Sequence, residues 1–454
     1  MNKKLYGWIG AAIVLVITVT VLIFAFFPFD NGYVADSKAE ITENIDSSRE
    51  ISSFSGVDQY LREWGMPSFD RAKFSYFEYY FNRYYAYEGG MPSVYEHAKD
   101  IAILFLENYY DSIDLSDKDV VTDALLKCYA SALDDPYSTY RPPVETDDYN
   151  TDMSGSFGGI GVVVEYGTND ESIRIITVYP DSPAEECGIK VGDFIYAING
   201  KTVDEIGYNN AVNHIRGKIG TTVDITLLRG ENLVEVTATR ALVEEINAEY
   251  EIDEETNVGY VRIVAFKRNT LAQFIKCIDA LEEAGVDGII FDLRNNPGGY
   301  VDSVVSVISY LIPDGNPVVS YRYNGRDKVT LVSQDEGEDH WIDLPFVVIC
   351  NGNTASAGEI FTAAIRDYRN DGMIDATVVG TTTYKKGVMQ NTYYYSLDNS
   401  SVTFTVAYYD PPYGANYHGV GITPDVIVEL DGSDEDIQLN AAYEEMSKLI
   451  EKNN

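Results

Sequence analysis

Short apolar strands alternate with helical segments in the second half of the chain, and this alternation restricts that half to the α/β class. Val258 to Phe266 reads as a strand, and Thr270 begins a helix whose apolar residues recur every three or four positions. Residues 288–293 and 346–350 are nearly continuous apolar runs, which are typical of parallel strands buried on both faces. The second run is followed by a helix over Glu359 to Arg366.

Two turns that follow these buried strands carry candidate chemistry. In residues 292–299, Gly298 and Gly299 allow backbone N–H groups to approach a ligand closely. In residues 351–359, Ser356 is predicted at a helix N-terminus, where free N–H groups and the helix dipole stabilise negative charge. This placement suits a nucleophile beside an oxyanion hole, although a serine between two alanines is equally typical of a plain helix start.

A lysine is the candidate base for such a serine. No Gly-x-Ser-x-Gly signature and no histidine in a recognisable protease context is present, which disfavours trypsin-like and α/β-hydrolase enzymes. If residues 383–390 are extended, Lys386, Val388 and Gln390 share one face, so that Gln390 can hold the Lys386 amine. Burial would lower the pKa of this lysine, and a neutral amine can act as a general base. The spacing alone leaves open whether the two side chains meet.

Residues 155–240 have a different sequence pattern, in which short predicted strands are separated by glycine turns. A glycine-rich loop runs into a strand over Phe157 to Glu165, and it lacks the spacing of a phosphate-binding loop. Three further motifs follow in order, at residues 182–184, 188–193 and 195–200. The series resembles a PDZ domain, whose glycine loop binds a peptide's terminal carboxylate and whose strand edge pairs with the peptide. The resemblance implies that the carboxylate loop comprises Gly159, Ile160 and Gly161; a PDZ-like spacer is the alternative.

The N-terminus contains an apolar run from Leu5 to Phe29, preceded by Lys3 and Lys4. At ~1.5 Å per residue, a helix of this length spans a ~30 Å hydrocarbon core. The flanking charges predict a single-pass anchor with a cytoplasmic N-terminus and the remaining chain outside the cell membrane. A long signal peptide cleaved near residues 34–36 is the alternative.

The net charge and the spacing of potential metal ligands disfavour some classes of binding partner. The 72 acidic and 33 basic residues give a net charge of −39, which argues against nucleic acid as a partner. The scattered cysteines are predicted to be buried free thiols: Cys128, Cys187, Cys277 and Cys350. Neither a metal site nor a cofactor is expected, because the histidines and cysteines lack ligand spacing.

Several motifs in a fixed order resemble the C-terminal (tail-specific) processing peptidases, serine proteases with an embedded PDZ domain. The resemblance extends roughly from Tyr95 to Leu430 and, besides the PDZ segment, includes these segments: 107–110, 133–140, 292–299, 354–359, 386–390 and 419–425. It implies Ser356 as nucleophile, Lys386 as general base and Gln390 as the residue that orients the lysine. It also implies oxyanion donors at the N–H groups of Ala357 and Gly298, with Gly299 as the alternative to Gly298.

The resemblance has one weaker implication and two departures. Arg216 matches a PDZ position that relays tail binding to the active site, although a surface salt bridge would equally explain it. Gly358 replaces a small polar residue of the family, and Lys385 replaces a glycine of the usual Phe-Gly-Lys-Gly. The second change makes Lys385 a rival base.

The expected fold class is α+β and multidomain. The expected segments are a cytoplasmic tip and transmembrane anchor (1–30), a linker (31–70), a helical region (71–150), a PDZ domain (151–242), an α/β protease core (243–430) and a C-terminal helix (431–454). The helix is expected either to pack on the core or to form homodimer contacts. The expected function is cleavage of protein substrates with accessible apolar C-terminal tails. The rivals are an inactive membrane-tethered PDZ scaffold and a protease that uses His340 or His418.

Overall fold

The computed structural model describes residues 38–47, 56–86, 90–166, 173–323, 327–334, 342–430, 432 and 435–453. Helices predominate up to residue 154. In chain order the elements are α1 (Lys38–Ser47), α2 (Val57–Glu63), α3 (Arg71–Tyr84), α4 (Val94–Asn108), α5 (Lys118–Ser131), β1 (Thr139–Arg141) and α6 (Pro143–Ser154). Helices α3, α4 and α5 begin at Asp70, Ser93 and Asp117, whose side chains accept hydrogen bonds from first-turn N–H groups.

Helices α1 and α2 lie in the segment 31–70 that the sequence analysis treats as a linker, so the structure differs there. Ile41 and Ile45 of α1 are buried, as are Tyr60 and Leu61 of α2, and they join the core around α4. The acidic, serine-rich composition of the segment conceals these apolar residues, which recur at helical spacing.

The next region is a β-rich unit with its own core. It comprises β2 (Ser156–Gly159), β3 (Val162–Tyr166), β4 (Ile173–Val178), α7 (Pro183–Glu186), β5 (Phe194–Ile198), β6 (Lys201–Thr202), α8 (Val203–Ile206), α9 (Tyr208–Ile215), β7 (Thr222–Arg229), β8 (Asn232–Thr239) and β9 (Ala241–Glu244). The sheet order is β3-β4-β5-β7-β8, with β6 beside β5, and β2 pairs separately with β9. Aliphatic side chains such as Ile175, Ile195 and Leu227 fill its core.

The remaining chain forms the α/β core and its flanking sheet. Its elements are β10 (Ala248–Asp253), β11 (Val258–Ile263), α10 (Thr270–Ala284), β12 (Gly288–Asp292), α11 (Val301–Ser309), β13 (Pro317–Tyr323), β14 (Lys328–Val332), β15 (Phe346–Cys350), α12 (Ala357–Asn370), β16 (Ala376–Gly380), β17 (Val388–Tyr394), β18 (Ser401–Asp410), β19 (Val426–Ile427) and α13 (Ile437–Asn453). One sheet has the order β10-β11-β12-β15-β16-β19, parallel from β11 onwards. Its parallel strands β12 and β15 end side by side, so the two candidate turns emerge at one edge.

A second sheet connects this core with the N-terminal helices. Its order is β1-β18-β13-β14, and β17 also pairs with β18. The Phe81 ring of α3 lies 4.7 Å from the Phe404 ring of β18, and both side chains belong to the main hydrophobic core. The segment between α5 and β1 is thereby placed beside the lysine loop at residues 381–387.

The C-terminal helix α13 packs on the parallel sheet, against β12, β15 and β16. Met446 and Ala442 are fully buried there. A Cβ on Gly288 would lie 2.4 Å from the Met446 sulfur, so a glycine permits the close approach. The structure therefore shows the first of the two roles expected of this helix, which is packing on the core.

The expected fold class included an N-terminal transmembrane helix, and this part of it is corrected by the structure. Within the part of the chain that the structure describes, no helix is long and apolar enough to cross a bilayer. The apolar run from Leu5 to Phe29 on which the prediction rested lies outside the described residues. The described fold therefore consists of the helical region, the β-rich unit and the α/β core. The cellular location stays a prediction from the sequence.

Candidate active site

Ser356 lies at the junction between the β15 turn and α12, in a strained backbone conformation. Its φ is +53° and its ψ is −115°, outside the regions that most L-residues adopt. The side chain is largely buried, yet it lines a cavity of about 600 Å³. The adjoining N-terminus of α12 offers N–H groups without intrahelical partners, as the sequence analysis expects.

The turn after β12 is fastened to the serine turn by asparagine side chains. The Asn295 carboxamide oxygen accepts from the side-chain nitrogens of Asn351 and Asn353, at 3.1 and 2.9 Å. Thr354 Oγ1 donates to the Leu293 carbonyl at 2.7 Å. These bonds hold the two turns in one arrangement, which an oxyanion site built from both would need.

Of the two glycines, Gly299 has the freer N–H. The Gly298 N–H donates to Oδ1 of the buried Asn296 at 2.8 Å, so it is already engaged. The N–H groups of Ala357 and Gly299 donate to no acceptor among the described residues, and Gly299 lines the cavity. A Cβ on Gly298 would lie 2.7 Å from Cβ of Ser356, so this glycine is needed for close packing. The geometry therefore favours Ala357 with Gly299, the alternative that the sequence leaves open.

Lys386 lines the same cavity and is poised to lose its proton. Burial lowers the pKa of its ammonium group to about 8, and the negative charges of Asp135 and Glu359 oppose that shift. Its Nζ lies 4.6 Å from the centre of the Tyr137 ring. A substantial fraction of the amine is therefore neutral in mildly alkaline solution.

Tyr137 and Asp135 come from the helical region and were not predicted to take part. Asp135 is buried and accepts hydrogen bonds from the Tyr137 N–H at 3.0 Å and from Ser138 Oγ at 2.7 Å. No chemical role was expected for the stretch 133–140. Its presence among the motifs of the family resemblance was the available signal.

Glu359 is a third residue whose role at the site was not predicted. Its fully buried carboxylate accepts four hydrogen bonds. One oxygen accepts from the N–H groups of Ser356 and Lys386, at 3.0 and 2.8 Å. The other accepts from Thr383 Oγ1 at 2.6 Å and from the Lys385 N–H at 2.8 Å. Glu359 thus fixes the spacing between the serine turn and the lysine loop.

Gln390 and Tyr409 complete the wall near Ser356. The Gln390 amide nitrogen donates to Thr405 Oγ1 at 3.2 Å, and no hydrogen bond joins Gln390 to Lys386 within the described part of the chain. Burial raises the pKa of Tyr409, and a hydrogen bond with the Ser356 side chain opposes that rise. The orienting role of Gln390 stays a prediction. Bonds between catalytic groups often tighten only when substrate binds.

The β-rich unit carries a second cavity of about 580 Å³ between β3 and α9. Its walls include Ile160, Gly161 and Val212, so two of the three predicted carboxylate-loop residues reach it. Gly159 instead lies in β2, where it pairs with Ala241. The groove is mostly apolar, and its edge strand β3 is available for pairing with a peptide.

Arg216 lies at this groove, and two residues of the β12 turn line its far wall. The Arg216 guanidinium lies 4.5 Å from the Phe157 ring centre, and it forms no ion pair with another described residue. Asn295 and Pro297 line the groove, and Pro297 also lines the Ser356 cavity. A ligand in the groove would therefore contact the turn that carries Gly299.

Comparison with known proteins assigns families to the α/β core and to the β-rich unit. Residues 257–428 match peptidase family S41, and residues 174–229 match the PDZ domain. The carboxy-terminal processing protease CtpA of Bacillus subtilis is 34% identical over 324 residues, which are 71% of this chain and 66% of that protease. A CtpA-like serine protease of Staphylococcus epidermidis is 34% identical over 310 residues, 68% of this chain and 61% of the relative. The chain thus spans slightly less than two thirds of the length of these relatives.

The fold has a counterpart among solved structures. An S41 protease from Bacteroides fragilis superposes with a TM-score of 0.51 and 18% sequence identity, covering 88% of this chain and 100% of that one. The likeness concerns the fold alone. From the matched segments and the similarity to the CtpA relatives, we conclude that residues 257–428 form a domain of peptidase family S41 and that residues 174–229 form a PDZ domain.

Proposed function

We propose that the protein is an endopeptidase that cleaves protein substrates whose accessible C-terminal tails bind its PDZ groove. Ser356 Oγ attacks the scissile carbonyl carbon while the neutral Lys386 amine takes the hydroxyl proton. The N–H groups of Ala357 and Gly299 stabilise the oxyanion. Lysine then returns the proton to the leaving amine, and water hydrolyses the acyl-enzyme.

One observation carries this proposal. Ser356 and Lys386 line one cavity, and a single buried carboxylate, Glu359, accepts hydrogen bonds from both backbones. The lowered pKa of Lys386 supports its role as base, because burial disfavours the charged ammonium form. The shared cavity and the lowered pKa together support Lys386 as the base for Ser356.

The PDZ groove supports a preference for apolar tails. Val162, Val164, Val212 and Ile215 line it. The N–H groups of Ile160 and Gly161 donate to no acceptor among the described residues, so they are suited to a terminal carboxylate. An acidic tail with several charges would lose solvation against these apolar side chains, and Arg216 could pair with at most one of the charges.

The test uses an unstructured reporter protein with either an apolar or an acidic tail. The full chain should cleave the apolar-tailed reporter faster, and the Ser356→Ala and Lys386→Ala variants should cleave neither. Lys385→Ala is the matched control, because it removes the neighbouring lysine and should keep activity. Val212→Glu should reduce the tail preference by placing a charge in the groove.

Each outcome separates this function from its rivals. Binding of the apolar tail without cleavage by any version would support the inactive scaffold. Cleavage that survives Lys386→Ala but is lost with Lys385→Ala would assign the base to Lys385. Cleavage by Ser356→Ala at the wild-type rate would refute the mechanism.

A further inference from the structure

The cavity at Ser356 carries basic side chains in a strongly acidic protein. The chain has a net charge of −39, yet the charged residues lining this cavity are Arg141, Arg268, Lys386 and a single carboxylate, Asp302. Lys386 is accounted for by its proposed role as base. The two arginines have no function in that mechanism, and their local field attracts anions.

Arg141, at the end of β1, lies over a tyrosine ring. Its guanidinium carbon lies 4.1 Å from the Tyr149 ring centre, and its Nη1 donates to Thr403 Oγ1 at 2.8 Å. Burial lowers the pKa of Arg141, and the negative charge of Glu145 opposes that effect at longer range. A guanidinium has five N–H donors, so this one bond leaves most of them available.

Arg268, which lines the same cavity, also lies over a tyrosine ring. Its guanidinium carbon lies 4.7 Å from the Tyr300 ring centre. Neither Arg268 nor Arg141 forms an ion pair with any residue in the described ranges. Stacking on an aromatic ring restricts a guanidinium and orients its planar edge for bidentate binding of a carboxylate.

The two arginines belong to one cluster around Tyr394. Burial raises the pKa of the Tyr394 hydroxyl, and the positive charges of Arg141 and Arg268 both oppose that rise. The Tyr394 hydroxyl donates to Asn150 Oδ1 at 2.7 Å, which restrains the ring. Because Tyr394 and both arginines line one cavity, a carboxylate bound there would meet the field of two cations.

We propose that Arg141 and Arg268 form a carboxylate-binding subsite, so that the protease prefers substrates with an Asp or Glu side chain close to the scissile bond. This inference rests on the proposed function, because it assigns a specificity to the same cavity. The subsite is distinct from the apolar PDZ groove: a preferred substrate carries an acidic residue at the cleavage site and an apolar tail. A carboxylate can also come from the substrate's C-terminus, so the test separates the two sources.

The experiment begins with the bond that the full chain cleaves in the reporter, identified by mass spectrometry. Peptides spanning that bond then carry Glu or Gln at each of several neighbouring positions, with a free or an amidated C-terminus. At one or more positions the wild type should show a Glu-to-Gln ratio of kcat/KM of roughly ten, since charge-assisted hydrogen bonds are about twice as strong as neutral ones. The ratio should fall as salt is added, because the cavity is open to solvent.

Variants connect the preference with the two arginines. In the doubly substituted Arg141→Gln/Arg268→Gln chain the ratio should fall towards one. Arg262→Gln is the matched control, because this exposed arginine of β11 lies outside the cavity and faces Glu249 at 3.8 Å. The control should keep the wild-type ratio.

The outcomes distinguish failure of the subsite from failure of the proposed function. A wild-type ratio near one at every position, in an active enzyme, overturns the subsite and leaves the protease function standing. A preference lost only on C-terminal amidation assigns the carboxylate to the chain end and overturns the side-chain proposal. If the reporter itself is not cleaved, the proposed function fails, and fluorescence anisotropy of labelled Glu and Gln peptides with Ser356→Ala still tests the subsite. Equal affinities there also overturn it.

Discussion

The backbone N–H groups of Ser356 and Lys386 donate to the same carboxylate oxygen of Glu359, at 3.0 and 2.8 Å. The serine turn and the lysine loop are 30 residues apart in sequence, and they follow the neighbouring parallel strands β15 and β16, so both leave the sheet at the same edge. One buried side chain thus sets the distance between the proposed nucleophile and its base.

Replacing Glu359 by Gln should uncouple the two groups. The amide offers one acceptor oxygen where the carboxylate offers two, and its NH2 group would face N–H donors. We expect kcat to fall roughly 100-fold, as a small misplacement of catalytic groups allows, and the free energy of unfolding to fall by about 1–3 kcal/mol. Steady-state kinetics and urea unfolding measure both.

The control for this variant is Asp371→Asn, which changes an exposed acid at the other end of α12. It should leave both quantities near their wild-type values. Full activity of Glu359→Gln, measured well below its unfolding transition, would contradict the proposed role of the carboxylate.

Lys385 occupies a backbone position that suits glycine. Its φ is +83°, in the left-handed region that costs a non-glycine residue about 1–2 kcal/mol. Lys385→Gly should therefore keep activity and increase the free energy of unfolding by up to about 1 kcal/mol. This gain is smaller than the relieved strain, because glycine loses more chain entropy on folding. Lys385→Ala should keep activity without that gain. Loss of cleavage in both variants would instead identify Lys385 as the base.

Glu78 should make the stability of the helical region depend on pH. Burial raises the pKa of its carboxyl group to about 7, the nearby charge of Asp58 adds to the rise, and a hydrogen bond from the Val57 N–H opposes it. The folded state therefore binds more protons than the unfolded state between about pH 4.5 and 7. Its stability contribution is present in acid and is lost as the pH rises through that window.

Glu78→Gln should remove this loss of stability at higher pH while keeping an acceptor for the Val57 N–H. At pH 8 the variant should be more stable by about 2 kcal/mol, and at pH 4.5 the two proteins should differ little. His97 acts in the opposite sense, because burial lowers its pKa to about 4, so stability rises with pH between 4 and 6.5. The difference between variant and wild type isolates Glu78, and a difference that does not change with pH would refute the assignment.

The sequence predicted Ser356, Lys386 and the PDZ unit because local motifs carry them. Glu359 and Tyr137 escaped prediction because their roles depend on contacts between distant segments. The choice between Gly298 and Gly299 could not be made either, since it depends on where the Asn296 side chain lies. Similarly, the few apolar residues of α1 and α2 could not be recognised as core residues from the sequence, because they become buried only against helix α4.

The most direct test of the central claim is covalent labelling of Ser356. A fluorophosphonate reacts with an activated serine when Oγ attacks phosphorus, fluoride leaves and a base takes the hydroxyl proton. Intact-mass measurement and peptide mapping would follow the adduct in the wild type, Ser356→Ala and Lys386→Met at a series of pH values.

The mechanism predicts one adduct, on Ser356, whose rate rises with pH through a pKa of about 8 as Lys386 loses its proton. Lys386→Met should label far more slowly and without that pH dependence. Labelling of another residue, or an equal rate in Lys386→Met, would contradict the Ser–Lys mechanism.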